Sequence, residues 1–159
     1  MANNIESKLQ GLGSEIPNAP NSGGSYIPYV IVDSLVFISG QLPRTGGKVA
    51  YPGKLGGGLS IEDGKSAARI CALNLLAQLK AAVSGDLDRV VRCVRLTGFV
   101  NSDPQFTEQP QVVNGASDLM IAIFGEYGQH ARTAVGVASL PAGAPVEVEG
   151  IFQISTPLI

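Results

Sequence analysis

Residues 132–154 read RTAVGVASLPAGAPVEVEGIFQI, two strands joined by a Pro/Gly/Ala connection. On the first strand Arg132, Ala134, Gly136 and Ala138 project one way, and Thr133, Val135, Val137 and Ser139 the other. A face on which only tiny residues follow a lone arginine has room for a neighbour or a ligand. The opposite face reads as an ordinary half-buried strand. On the second strand Val146, Val148, Gly150, Phe152 and Ile154 share one face, while Glu147, Glu149, Ile151 and Gln153 share the other. The two carboxylates project side by side, and like charges held close resist ionising together. Periodicity alone admits two readings of them. One is a solvated outer face; the other is a site where the arginine holds an anion and a carboxylate handles a proton or a water.

Totals narrow the field. A chain of 159 residues can bury a proper core and fits one domain. Hydrophobic residues make up 45% and charged residues only 15%, which leaves the surface short of charge for a monomer and predicts burial between subunits. A net charge of -2 and nine aromatics without tryptophan argue against a nucleic-acid-binding surface, which rests on clustered Lys and Arg. No apolar run is long enough for a membrane span, and the N-terminus lacks a secretory signal pattern. Cys71 and Cys93 sit in apolar segments without a CxxC, which suits reduced, buried thiols and a cytoplasmic location.

Working backwards and then along the chain, residues 1–25 read as an N-terminal arm. It opens with a short helix near Ile5–Leu12 and continues as an extended or partly mobile stretch rich in Pro, Asn, Ser and Gly. Residues 26–159 form the single domain. Strands are expected at 27–32 and 35–40, with Asp33-Ser34 as a tight turn. The Gly/Pro-rich segment 41–59 is expected to be loop; Gly56–Gly58 fits neither phosphate-binding glycine pattern. Ser60 and Asp63 form a capping-box pattern at the start of a helix ending near Gly85. A strand at 89–100 follows. Alternation there sends Arg92 opposite to Arg89 and Arg95, so the three read as dispersed, solvated charges. A second amphipathic helix carries Val112 through Tyr127 and stops at Gly128. The order β-β-α-β-α-β-β predicts an α+β domain, with two helices covering one face of a mixed sheet.

Inventory removes most chemistries. His130 is the only histidine; its neighbour Arg132 disfavours its charged form, and it reads as a surface or strand-start residue. No clustered ligand spacing suggests a metal. Ser39 in ISGQ is outside a GxSxG elbow and reads as a hydrogen-bonding serine at a strand end or a small turn residue. What remains is Arg132, whose guanidinium fork matches a carboxylate bidentately, with the carboxylate pair. Asn114 is either a ligand to substrate or a capping or surface residue. Tyr29 either closes a pocket or is a half-buried strand aromatic.

These residues in this order resemble the Rid family (reactive intermediate deaminases, also called YjgF or L-PSP endoribonuclease-like proteins), over most of the chain from Tyr26 to Ile154. The strongest marker is ARTAVGVASLPAGAPVEVEGI, with Ile38–Gln41 and Val113-Asn114 as further matches. The segment KLGGGLSIEDGKSAAR resembles a divergent branch. The resemblance implies a chorismate-mutase-like fold, a homotrimer, and sites in clefts between subunits. It implies hydrolysis of 2-imino or enamine acids to 2-keto acids and ammonia, with no cofactor and no metal. Arg132 would hold the carboxylate of a small metabolite, Glu147 would orient a water, and Tyr29, Ser39 and Asn114 would line the pocket. Two positions depart from the pattern. Ala134 stands where many relatives carry cysteine, which removes thiol chemistry and widens the pocket, and His130 stands where proline is common. Two rival functions remain: a trimeric protein that binds small carboxylates without turnover, and an endoribonuclease, which the acidic balance opposes.

Overall fold

The computed structural model describes residues 4–156. Its elements are α1 (Asn4–Gly11), β1 (Tyr29–Val32), β2 (Leu35–Gln41), β3 (Arg44–Thr45), β4 (Lys48–Val49), α2 (Ile61–Ala82), β5 (Val90–Asn101), α3 (Gln109–Phe124), β6 (Ala131–Val137) and β7 (Val146–Ile154). Five strands form one mixed sheet in the order β1-β2-β7-β5-β6, and β3 and β4 form a separate small hairpin. Only the β5–β6 pair is parallel, with α3 as its crossover. The last of the described strands, β7, is therefore the middle of the sheet.

Local chemistry sets the boundaries. Asp33 takes a positive φ of 51° and closes the two-residue turn between β1 and β2, a conformation Asp tolerates better than most residues. Ser60 caps α2: its side chain accepts from the Asp63 amide while Asp63 accepts from the Ser60 amide. From α2 and α3 the core takes Leu75, Leu76, Leu79, Val113, Leu119 and Met120, all fully buried against Val36, Leu96, Val148 and Phe152 of the sheet. Close approach of the two helices depends on Gly115, where a Cβ would lie 2.0 Å from the Lys65 carbonyl oxygen.

The short helix expected near Ile5–Leu12 is α1, and it is docked: Ile5 and Leu9 are buried in the core, and the Asp88 carboxylate accepts from the Asn4 and Ile5 amides at 3.0 and 3.2 Å, capping α1. Two expectations need correction. Segment 41–59 is not all loop, since it holds the β3–β4 hairpin and the fully buried Leu55. Finally, the register against β7 shifts between Val90 and Arg92 and again between Cys93 and Arg95. These two bulges reset the alternation, so Arg92 and Arg95 lie on the same exposed face, opposite Gln153 and Ile151.

One sheet face is covered by α2 and α3. The other carries exposed Val30, Val32, Phe37 and Val135.

Candidate functional site

Arg132 lies on β6 opposite Leu96 of β5, a fully buried residue, so it projects toward the helices rather than toward the open face. There α3 meets it. Its Nη1 donates to Asn114 Oδ1 at 2.7 Å and to Ser117 Oγ at 3.1 Å, and its Nη2 donates to the Pro110 carbonyl at 3.3 Å. All three acceptors are neutral oxygens. The fork is held in place while its charge stays available to an anion.

The tiny residues that follow Arg132 serve packing against α3. Ala134 packs against the core, and the gap at Gly98 beside it is filled by Val113, 2.5 Å from where a Cβ would sit. A Cβ at Gly136 would meet Ser102 Oγ and Gln109 Nε2. Near Arg132 and Ala134 the room on this face is taken by α3, while farther along exposed Gly136 and Ala138 line a cleft of about 390 Å³ with Ser102, Asp103 and Gln109.

Glu147 lies opposite Phe99, and strand alternation places it on the face away from Arg132's helix side. It is half-buried in a cleft of about 550 Å³ that it shares with Tyr26, Gly40, Gln41, Arg44 and Gln78. Two buried amides of α2 hold the walls of this cleft. Asn74 Nδ2 donates to the Leu42 and Arg44 carbonyls, and Gln78 Nε2 donates to the Pro20 carbonyl. Gly40 presses on the acid: a Cβ there would fall 2.3 Å from Glu147 Oε1. Burial, and secondarily the neighbouring Glu149, raise the Glu147 carboxyl above the usual carboxylate range.

The remaining expected residues separate. Ser39 stands at the irregularity where β2 parts register with β7, its hydroxyl donating to the Ile27 carbonyl at 2.8 Å. It shares a second depression, about 300 Å³ on the open face, with Phe37, Arg95, Thr97 and Glu149. Tyr29 pairs with buried Ile38 and packs against the core, whereas Tyr26 reaches the Glu147 cleft. Tyr26 precedes the strand and has no periodic partner, so no local pattern marks it, and none marks Ser117 or Arg44. Within one chain Arg132 and Asn114 meet, and Glu147 is elsewhere.

His130 is half-buried at the foot of β6, its Nδ1 2.6 Å from the Gly128 carbonyl and its Nε2 2.9 Å from Ser117 Oγ. Burial, with a smaller contribution from Arg132, holds its pKa below the ordinary imidazole value against the opposing Gly128 bond. Cys93 is pushed up to about 12 by burial, and Cys71 is raised as well, so neither thiol is poised as a nucleophile. Among the described residues no group of three or more His, Cys, Asp or Glu side chains could hold a metal ion, and no helix is long and apolar enough to cross a membrane.

Comparison with known proteins places these features. Protein TCP17 of Trypanosoma cruzi is 47% identical over 152 residues, 95% of this chain and 94% of the relative. A 2-iminobutanoate/2-iminopropanoate deaminase of Capra hircus is 30% identical over 136 residues, 84% and 82% of the two chains. The crystal structure of protein Atu1372 from Agrobacterium tumefaciens, described as of unknown function, superposes with a TM-score of 0.90 at 46% identity, covering 96% of this chain and 93% of that one. A family model described as "YjgF/chorismate_mutase-like, putative endoribonuclease" matches residues 6–148. The mixed sheet backed by two long helices agrees with that match, and the chain belongs to the YjgF/chorismate mutase-like family.

Proposed function

We propose that the protein hydrolyses small 2-imino or enamine acids to 2-keto acids and ammonia, at clefts completed by a second copy of the chain in a homotrimer. The observation that carries this reading is the Arg132 guanidinium, held by three neutral oxygens and without an ion-pair partner among the described residues. A substrate carboxylate would supply the missing charge through a bidentate pair. The goat relative supports the reaction class, being an imine deaminase by name.

The chemistry asks little of the protein. In the imine the C=N carbon is already electrophilic. Glu147 takes a proton from a water as the water oxygen bonds to that carbon and the C=N π pair moves to nitrogen, and it returns that proton to the nitrogen. It then takes the carbinolamine O–H proton and passes it to the nitrogen as the C–N bond breaks, which expels ammonia and leaves the C=O of the keto acid. Positioning of carboxylate and water supplies most of the rate enhancement. A half-buried carboxyl with a raised pKa suits repeated proton exchange better than a fully solvated one. The exposed Val30, Phe37 and Val135 on the open sheet face supply the apolar surface that a subunit partner would cover.

The test is release of 2-keto acid from imines generated by an amino-acid oxidase, compared between wild type and Arg132→Ala. Turnover that disappears in the variant is the expected result. Turnover equal in the two would remove Arg132 from the mechanism.

A second reading has one observation in its favour. Arg132 is engaged by α3 while Glu147 projects from the opposite sheet face, so an isolated chain presents an anion holder apart from the carboxylate expected to handle the proton. On that reading the protein captures small carboxylates without turnover, and the same assay would show only the spontaneous rate.

A further inference from the structure

Ser117 is buried in α3, 7% exposed, and its hydroxyl sits between two groups: Arg132 Nη1 at 3.1 Å and His130 Nε2 at 2.9 Å. The proton positions on this chain follow from its ends. The Gly128 carbonyl can only accept, so His130 Nδ1 carries the hydrogen at the 2.6 Å contact. In the neutral ring Nε2 is then an acceptor, and the Ser117 O–H must point at it. That orientation turns the lone pairs of Oγ toward the guanidinium, which can only donate. Each step fixes the next, from Gly128 through His130 and Ser117 to Arg132.

We infer that Ser117 and His130 are positioning residues that fix the rotation of the Arg132 guanidinium, His130 acting only through the Ser117 hydroxyl. The inference rests on the proposed role of Arg132 as the carboxylate holder. It assigns a purpose to the histidine at 130: a proline there would have no ring nitrogen to accept the hydroxyl, leaving Ser117 free to rotate. Asn114 holds the same Nη1 at 2.7 Å from the other side. Two acceptors on one nitrogen define a plane for the fork, as a bidentate partner demands.

Two measurements on the full chain test it. The first needs no ligand: nitrogen-15 NMR of the Arg132 side chain, together with the lone histidine, whose signal is unambiguous. Expected are a histidine with its proton on Nδ1 and slow rotation about the Arg132 Nε–Cζ bond. Rotation should become several-fold faster in Ser117→Ala and in His130→Phe, and recover in His130→Gln, whose terminal amide can still accept from the hydroxyl. Rotation that His130→Phe leaves unchanged would overturn the inference, whatever the protein binds. The second is a double-variant cycle on the affinity for pyruvate. Ser117→Ala should weaken binding about tenfold, as for loss of one hydrogen bond to a charged group. His130→Phe in the Ser117→Ala background should add nothing, because the relay is already cut. Additive losses would show that His130 acts on its own and refute the relay. Wild-type binding no tighter than that of Arg132→Ala would instead refute the proposed function, while the rotation measurement would still decide the relay.

Discussion

Arg132 and Glu147 project from opposite faces of one sheet, with β5 between the strands that carry them. Strands two apart are separated by roughly 10 Å before the side chains diverge. A three-carbon or four-carbon acid cannot touch both in one chain. If the two act on one substrate, each site takes its arginine from one subunit and its glutamate from another.

Mixed oligomers test this directly. Arg132→Ala and Glu147→Gln should each be inactive alone. Reassembled from equal amounts of the two, the protein should regain about a quarter of wild-type turnover, the random frequency with which an intact arginine meets an intact glutamate across a closed cyclic interface. Sites contained within one chain would give no recovery at all.

Gly40→Ala is expected to harm activity more than stability. The added methyl would sit 2.3 Å from Glu147 Oε1, the far end of a flexible side chain that can swing aside. The fold should therefore survive with little change in Tm, while kcat should fall at least about tenfold, because a water placed by a displaced carboxylate loses its line of attack. An unchanged kcat would mean that the position of Glu147 does not matter.

Glu149→Gln should move the acid limb of the pH–rate profile to lower pH. Burial is the larger cause of the raised Glu147 pKa, and Glu149 is the second; removing that charge returns part of the shift. The same linkage sets a sign for stability. A carboxyl whose folded-state pKa is raised contributes stability that is complete below the ordinary carboxylate value and is lost as pH rises through the folded-state value. Glu147→Gln should accordingly raise Tm at neutral pH and leave it unchanged in acid. A Tm that falls at neutral pH would show the ionised carboxylate to be stabilising.

Gly115→Ala separates helix propensity from packing. In an open helix the change would stabilise by about 1 kcal/mol. Here the methyl would meet the Lys65 carbonyl oxygen at 2.0 Å, a backbone atom that cannot swing aside, and α2 and α3 would have to part. Overpacking of this kind costs about 3 kcal/mol, which leaves a net loss of about 2 kcal/mol after propensity and lowers Tm by about 4–8 °C for a chain of this size. A rise in Tm would mean that the helices separate freely.

The sequence disclosed what its local periodicities encode and hid what depends on register and side-chain reach. The capping box at Ser60, the Asp33 turn and the apolar stripes of α2 and α3 are each written in neighbouring residues, and they sufficed for the α+β architecture. The alignment of Arg92 with Arg95 was hidden because two bulges cancel the period-2 rule, and a bulge leaves no residue signature in RVVRCVRLTGFV. The tiny residues of β6 signalled close approach correctly, but not that α3 makes it, since Val113 fills the gap at Gly98 from a distant part of the chain. The contacts of Arg132 with Asn114 and of Ser117 with His130 arise only through the tertiary packing of α3 on β6, which local sequence does not encode. Tyr26 was obscured by Tyr29, the tyrosine that strand alternation favours and the core absorbs.

Because β7 occupies the centre of the sheet, both halves await a strand that is synthesised after the other four. Until Val146–Ile154 has emerged, β2 and β5 have no partner on their inner edges, and the β1–β2 hairpin cannot join the β5–α3–β6 unit. At about 5–20 residues per second, the nascent chain carries those open edges for several seconds. A chain stopped short of β7 would not be a smaller version of this protein. It would be two unjoined fragments, each with an edge ready to pair with whatever strand arrives first.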